Sequence, residues 1–459
     1  QPRGRPRGPL PAGGQVPATR IEGRGSRRRR LLSLASLRPL RQRDFALIWA
    51  AALVSNIGSW LQTIAVGVLV TELTGQARWT GLVAAAAFVP IGVLSPVGGA
   101  VADRVDRRRL LLGTTVGETV FAALLAVLVG TGHATPLAVT ALVFAGGCMT
   151  ALGFPAYQAI LPDLVERDDL LAASSLSMAQ YNLGRVVGPV LAGAVLVLGS
   201  YTWAFALNAL SYGAVMVALL MVRLPPPDPT DEPPGLRARI VAGVRGARAE
   251  PGCRTAIVTI AVAALLLSPF IALIPAVTVK LFGGGEGATS LLIGAQGVGA
   301  VVGALSLASL ARRFGRRRVL VLNLLVLPFL LAAYAAAPNL AAATMVLVAV
   351  GAGYVGVLSG LGTVVQLRAP TALRARILSL YMVALGTVYP LGAVLQGALG
   401  DRVGLRTVTA GGAAIFLAVI IVAGLARPDL VAALDDPPAS TGDDPTPLDV
   451  PDRPRDVIL

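Results

Sequence analysis

Among its 459 residues the chain has one histidine, His133, two cysteines, Cys148 and Cys253, and one lysine, Lys280. Structural and catalytic metal sites draw several ligands from His, Cys and carboxylates at short spacing, and no such cluster is present. The two cysteines fall in separate apolar segments, which argues against a disulfide framework. His133 lies in a loop, too shallow to relay protons across a membrane. No glycine-rich loop ending in Gly-Lys-Ser/Thr occurs, so nucleotide-driven pumping has no phosphate cradle. The acids are scattered and the histidine stands alone, so a lipid-modifying enzyme would lack its nucleophile or acid–base cluster. Charged residues make up only 14% of the chain.

What is abundant is apolar. Hydrophobic residues reach 55% and the mean hydropathy is +0.73, an excess that a soluble core cannot absorb. Runs of roughly 20 apolar residues, long enough to cross a ~30 Å hydrocarbon layer, recur along the chain. They predict an all-α membrane protein with twelve spans at 45–70, 80–101, 110–131, 136–160, 173–198, 202–222, 255–280, 289–310, 319–337, 340–366, 377–399 and 406–425.

The net charge of +15 raises the question of nucleic acid, and the positions of the basic residues answer it. Of 39 lysines and arginines, 34 fall on segments that share one side of the membrane if the termini lie there. Only Arg78, Lys280, Arg402 and Arg406 fall on the other side, and Arg185 alone lies within a span. This is the positive-inside asymmetry, and it predicts a bacterial inner-membrane protein with both termini cytoplasmic. No soluble segment is long enough to carry a basic recognition face, so nucleic acid is not an expected partner.

Residues 1–43 and 427–459 read as disordered tails, the first basic and the second acidic and Pro-rich. Leu224-Pro225-Pro226-Pro227-Asp228-Pro229 ends the sixth span, and 223–254 read as a cytoplasmic linker between bundles at 44–222 and 255–426. Two internal echoes support duplication. Asp103-Arg104-Val105-Asp106-Arg107-Arg108 returns as Arg312-Arg313-Phe314-Gly315-Arg316-Arg317 at an offset of 209. Gln158 to Pro162 returns as Gln366 to Pro370 at an offset of 208. A duplicated six-helix unit suits two bundles that rock about a central site.

Two motifs carry a family resemblance. The first is Gly99-Ala-Val-Ala-Asp103-Arg104-Val-Asp106-Arg107-Arg108, and the second is Gly184-Arg185-Val-Val-Gly188-Pro189-Val-Leu-Ala-Gly193. Over residues 40–425 the chain resembles the major facilitator superfamily, most closely its branch of enterobactin-type exporters and drug-efflux proteins. Asp106 stands where that family's loop signature has glycine, and Ala192 interrupts the usual double glycine of its exporter motif. The resemblance implies two six-helix bundles, no cofactor, and a monomer that couples a small-molecule substrate to protons or another ion.

It also implies that Gly99, Asp103, Arg104, Arg107 and Arg108 form a gating latch against the eleventh span, the alternative being topology setting alone. Gly99 would let the second span approach a neighbour closely. Pro189 kinks the fifth span, and Gly184, Gly188 and Gly193 smooth it for contact.

Arg185 lies about 18 Å into its span. A cation there costs from ~3 kcal/mol upwards unless it meets a cavity or an acid. A structural ion pair and a role in binding or coupling are both open, with Glu118 in the third span a candidate partner or proton carrier. Asn56, Ser59 and Gln62 share one face of the first span with Thr63. Tyr157, Gln158, Gln180, Tyr181, Gln296, Tyr354, Tyr381 and Tyr389 add amide and aromatic groups at membrane depth, as cavity lining or interhelical glue. Gly351-Ala-Gly353-Tyr-Val-Gly356 has dinucleotide-binding spacing but sits inside an apolar run, where close helix packing explains it better.

The sequence therefore points to a proton-coupled exporter of a hydrophobic or amphipathic compound such as a drug, siderophore or secondary metabolite. The competing readings are a proton-coupled importer and a non-transporting membrane receptor or scaffold.

Overall fold

A computed structural model describes residues 37–102, 104–198, 200–222, 236–370 and 373–435. These residues are nearly all helical. The first half holds α1 (Arg43–Thr74), α2 (Ala77–Ala102), α3 (Arg107–Gly130), α4 (Pro136–Ile160), α5 (Leu170–Leu198) and α6 (Tyr201–Met221). A short α7 (Leu236–Ala249) follows, then α8 (Pro251–Leu266), α9 (Pro269–Phe282), α10 (Glu286–Phe314), α11 (Arg316–Ala336), α12 (Leu340–Arg368), α13 (Arg374–Val403), α14 (Leu405–Ala426) and α15 (Pro428–Ala432).

Eleven of these segments, with α8 and α9 counted as one, are long and apolar enough to cross a membrane. The 29-residue α5 is also of spanning length, and it occupies the place of the fifth expected span. Large apolar side chains cover the bundle's outside. On α14, Ile415, Val422 and Leu425 are more than half exposed, which suits acyl chains and not water.

Local chemistry sets the helix ends. Thr135 and Asn339 cap α4 and α12 by accepting from the Ala138 and Ala342 amides. Glu250 caps α8, with Pro251 at its first position. Gly75 and Gly283 close α1 and α9 in the left-handed region, at φ of 62° and 60°. Asp106, the departure from the family glycine, caps α3 through the Arg109 amide at 2.8 Å. In the second copy of that loop Gly315 holds φ at 86°. One turn is thus closed by a cap and its repeat by backbone freedom.

We call the end of the bundle that bears the α2–α3, α4–α5, α10–α11 and α12–α13 connections the basic end, and the opposite end the far end. Small residues bring helices together within each half. A side-chain carbon at Gly98 or Gly147 would strike the α4 or α2 backbone. Gly299, Gly303 and Gly351 do the same between α10 and α12. Close packing is therefore the role of Gly351, while Gly356 rests against Asn323 of α11.

Four expectations change. The seventh span is not one helix: it breaks between Leu266 and Pro269, because Pro269 has no N–H to continue the ladder. The Gln396 amide of α13 donates to the freed Leu265 and Leu266 carbonyls at 3.0 and 2.9 Å, so the break leaves these groups bonded at membrane depth. The segment 223–254 contains α7, which packs on α13 through Gly243 and Gly246. Neither tail is wholly irregular. Arg38–Arg41 form a 3-10 turn held by Gln42 and Arg38 to Asp169, and Asp435 pairs with Arg317 at 2.8 Å. Residues 1–36, 223–235 and 436–459 lie outside the described residues.

Candidate functional site

Gly184 and Gly188 draw α5 onto α1. A carbon added at Gly184 would meet Asn56 and at Gly188 would meet Trp60 and the Ile57 carbonyl, so the two helices touch along backbone. This contact fixes Arg185 roughly midway along α5, about 20 Å from either helix end. Its guanidinium carbon lies 5.8 Å from the Trp60 ring centre, within cation–π range. Tyr181, one turn earlier, sets its ring edge-on to Trp60 at 6.2 Å. Across the boundary between the halves, Arg185 Nη2 donates to Gln296 Oε1 of α10 at 3.4 Å.

Among the described residues Arg185 makes no ion pair. Through Trp60 of α1 and Gln296 of α10 it touches both halves. Gln296 is 2% exposed, and its Nε2 has no hydrogen-bond partner. Arg185, Gln296 and Tyr181 are therefore the predicted residues that the fold brings into one neighbourhood, with Trp60 added.

Glu118 belongs elsewhere. Thr150 of α4 donates to its carboxylate at 2.5 Å. Tyr212 of α6 shares a 3.2 Å hydrogen bond with Ser59 of α1. Asn208 of α6 donates to Gln62 Oε1 at 2.9 Å. The expected pairing of Glu118 with Arg185 is thus corrected: the Glu118 carboxylate is bonded to Thr150, inside the first half. Ser59 and Gln62 are occupied in tying α1 to α6, while Asn56 lies under α5. Ser59 and Gln62 therefore do not converge on Arg185.

The remaining predicted residues divide by burial. Tyr381 is 3% exposed and donates to the Leu358 carbonyl at 2.8 Å, which makes it a bolt between α12 and α13. Tyr354 donates to Ser268 at the α8–α9 break at 3.0 Å and packs edge-on against Phe270. Tyr389 stacks edge-on with Phe88 of α2 at 5.7 Å, across the halves. Gln180 is buried, its Nε2 without a partner. Tyr157 packs into the basic-end core of the first half around Phe45 and Ile160, and Gln158 is exposed nearby. Outward-facing depressions on α14, lined by residues such as Ala418, Val422 and Leu430, contain none of these side chains.

The expected basic-end latch is seen only in part. Asp103 lies outside the described residues. Arg107 pairs with Asp163 at 2.9 Å, Arg108 donates to the Leu220 carbonyl at 2.7 Å, and Arg104 is exposed. The partners of Arg107 and Arg108 lie inside the first half. The close approach assigned to Gly99 falls one residue earlier, since Gly98 meets α4 while Gly99 has only Pro155 Cβ at 3.9 Å. On the second half, Arg368 pairs with Glu250 at 2.7 Å, again within its own half.

The far end is joined across the halves. Asp401, near the end of α13, accepts from the Ala77 and Arg78 amides at 2.8 and 2.9 Å and so caps α2. Lys280 of α9 donates to the same carboxylate at 2.7 Å. Gly81 and Gly397 press α2 and α13 together, Gly193 of α5 sits under Ser290 of α10, and Gly67 of α1 sits under Pro275 of α9. Asp401-Arg402-Val403 repeats Asp103-Arg104-Val105, a signal present in the sequence and overlooked. Trp60 and Ser268 were also overlooked, hidden among apolar neighbours.

Comparison with known proteins agrees with this architecture. The transmembrane secretion effector family matches residues 34–450. The multidrug efflux pump Tap of Mycolicibacterium fortuitum is 27% identical over 372 residues, covering 78% of this chain and 90% of that protein. The enterobactin exporter EntS of Salmonella typhimurium is also 27% identical over 372 residues, covering 78% of this chain and 85% of its own. In fold, the chain is similar to a bacterial homologue of the human lysosomal transporter Spinster in an inward-facing, occupied conformation. That match has a TM-score of 0.69 at 14% identity and covers 87% of this chain and 99% of the other. The duplicated bundles, the α2–α3 and α5 motifs and these likenesses converge: the chain is a multi-pass membrane transporter, not an enzyme, and belongs to the transmembrane secretion effector family of the major facilitator superfamily.

Proposed function

We propose that the chain exports a small hydrophobic or amphipathic compound from the bacterial cytoplasm across the inner membrane in exchange for protons, by alternating access. It works as a monomer of two units, 44–222 and 255–426, with no nucleic-acid partner and with the basic end and both termini in the cytoplasm. The positive-inside distribution of arginines supports the orientation. The observation that carries the reading is the joint location of Arg185: its α5 packs on α1, and its guanidinium reaches α10. A group held at that seam contacts both halves, so occupancy there is felt by both as they swing.

The far-end closure by Asp401, Gly81 and Gly397 supports a resting form open toward the basic end. Asp103 with Arg104, Arg107 and Arg108 supplies the alternating counterpart when the basic end closes. Glu118 is the proton-carrying candidate, an acid at mid-depth bonded to neutral groups. Export as the direction rests on the relatives named as an efflux pump and an exporter.

Inside-out vesicles with an acidic lumen test the proposal. The purified chain should drive accumulation of lipophilic dyes and siderophore-like compounds, with protonophore abolishing it. Accumulation only when the gradient is reversed would make it an importer, and no movement of any compound would favour a receptor.

A further inference from the structure

Arg185 is the only one of the 39 basic residues that falls in the interior of an expected span, Lys280 and Arg406 standing at span ends, and its partners are neutral. A permanent cation at membrane depth usually has a carboxylate beside it or a cavity in front of it. Here one guanidinium nitrogen makes a long 3.4 Å bond to Gln296, and the face of Trp60 takes part of the charge. Gln296 adds a second donor, a buried Nε2 with no acceptor. Glu118, the acid midway along α3, is committed to Thr150. Among the described residues the seam therefore has donors in excess and no carboxylate paired with the guanidinium.

We propose that this seam binds the anionic group of the transported compound, so that the substrate class is amphipathic anions: a carboxylate, phenolate or similar acidic group on an aromatic or apolar body. The inference rests on the exporter reading above. Arg185 takes the charge, Gln296 Nε2 adds a hydrogen bond, and Trp60 with Tyr181 offers aromatic surface to the body. A lipid phosphate is not the intended ligand, because the guanidinium sits about 20 Å from either helix end, well below the headgroups. An anion held by Arg185 and Gln296 Nε2 would replace the direct α5–α10 bond with one that runs through the substrate, which links binding to the movement of the halves.

Two ions of nearly equal size and opposite charge make the test: tetraphenylborate and tetraphenylphosphonium, bound to the full chain in lipid nanodiscs and followed by tryptophan fluorescence. Wild type should bind borate at least tenfold more tightly than phosphonium. Arg185→Gln should lose the borate preference and leave phosphonium unchanged, while Arg185→Lys should keep most of it. Lipid partitioning of borate is common to all three proteins and cancels in their comparison. Equal affinities, a preference for phosphonium, binding of neither ion, or a borate affinity untouched by Arg185→Gln each overturn the proposal. Empty nanodiscs titrated with both ions give the lipid baseline, and the wild-type preference above that baseline stands as a test even if the Gln variant does not fold.

Proton-driven movement of each ion into inside-out vesicles separates this from the parent reading. Movement of phosphonium without borate keeps the exporter and removes the anionic class. Borate bound but unmoved by any gradient keeps the site and removes the exporter.

Discussion

Gly81 of α2 lies directly against the Ala393 carbonyl of α13, with no room for a side chain between them. This contact belongs to the far-end closure and predicts a conformational effect. Gly81→Leu should wedge α2 from α13 and shift the protein toward a form open at the far end. The check is the labelling rate of a cysteine placed at Ala85, one turn along the same face and buried, by an impermeant maleimide in a Cys148→Ser, Cys253→Ser background. Faster labelling is expected.

Asp401→Asn should act in the same direction, more gently. It removes the ion pair to Lys280 and weakens the cap on α2, leaving a neutral acceptor. The pair is partly exposed, with side-chain accessibilities of 30% and 17%, so the loss is of order 1 kcal/mol, about a fivefold change in the ratio of forms. Lys280→Met should do less, since Asp401 keeps both amides. Labelling at Ala85 ranks the three.

Glu118→Gln should separate coupling from transport. The Thr150 hydroxyl can donate to an amide oxygen in place of the carboxylate. Substrate exchange in proteoliposomes should continue while the response to a proton gradient is lost. Retained gradient response would remove Glu118 from the coupling path.

The glycines of the two motifs should differ in cost. Gly188→Ala meets Trp60 Cβ at 2.5 Å and the Ile57 carbonyl at 2.9 Å, and should destabilise by about 1–3 kcal/mol, seen as a lower melting temperature. Gly99→Ala meets only ordinary contact at 3.9 Å and should stay within about 0.5 kcal/mol of wild type.

Much of this architecture was legible because lipid imposes length and polarity on each span, so the helices and the arginine asymmetry can be read without any partner. Arg185 stood out for the same reason, as a cation where none is cheap. What escaped depended on contacts between distant segments. Ser59 and Gln62 share a face, but only the fold shows that α6 and not the seam occupies them. The break before Pro269 was written in Leu267-Ser268-Pro269, yet what keeps it tolerable is Gln396, more than a hundred residues away. Gly99 was chosen over Gly98 because motif spacing cannot tell which of two adjacent glycines faces a neighbour. The Asp401-Arg402-Val403 echo was readable and was missed because its helix pair runs the opposite way through the membrane.

Alternating access requires the two ends to move oppositely, and paired spin-label distances measure that directly. One pair spans the far end, at Leu73 and Val403, and one spans the basic end, at Val105 and Phe314, all exposed positions. On Asp401→Asn the far-end distance should lengthen while the basic-end distance shortens. Lengthening at the far end with the basic end unmoved, or both distances changing in the same sense, would contradict the account.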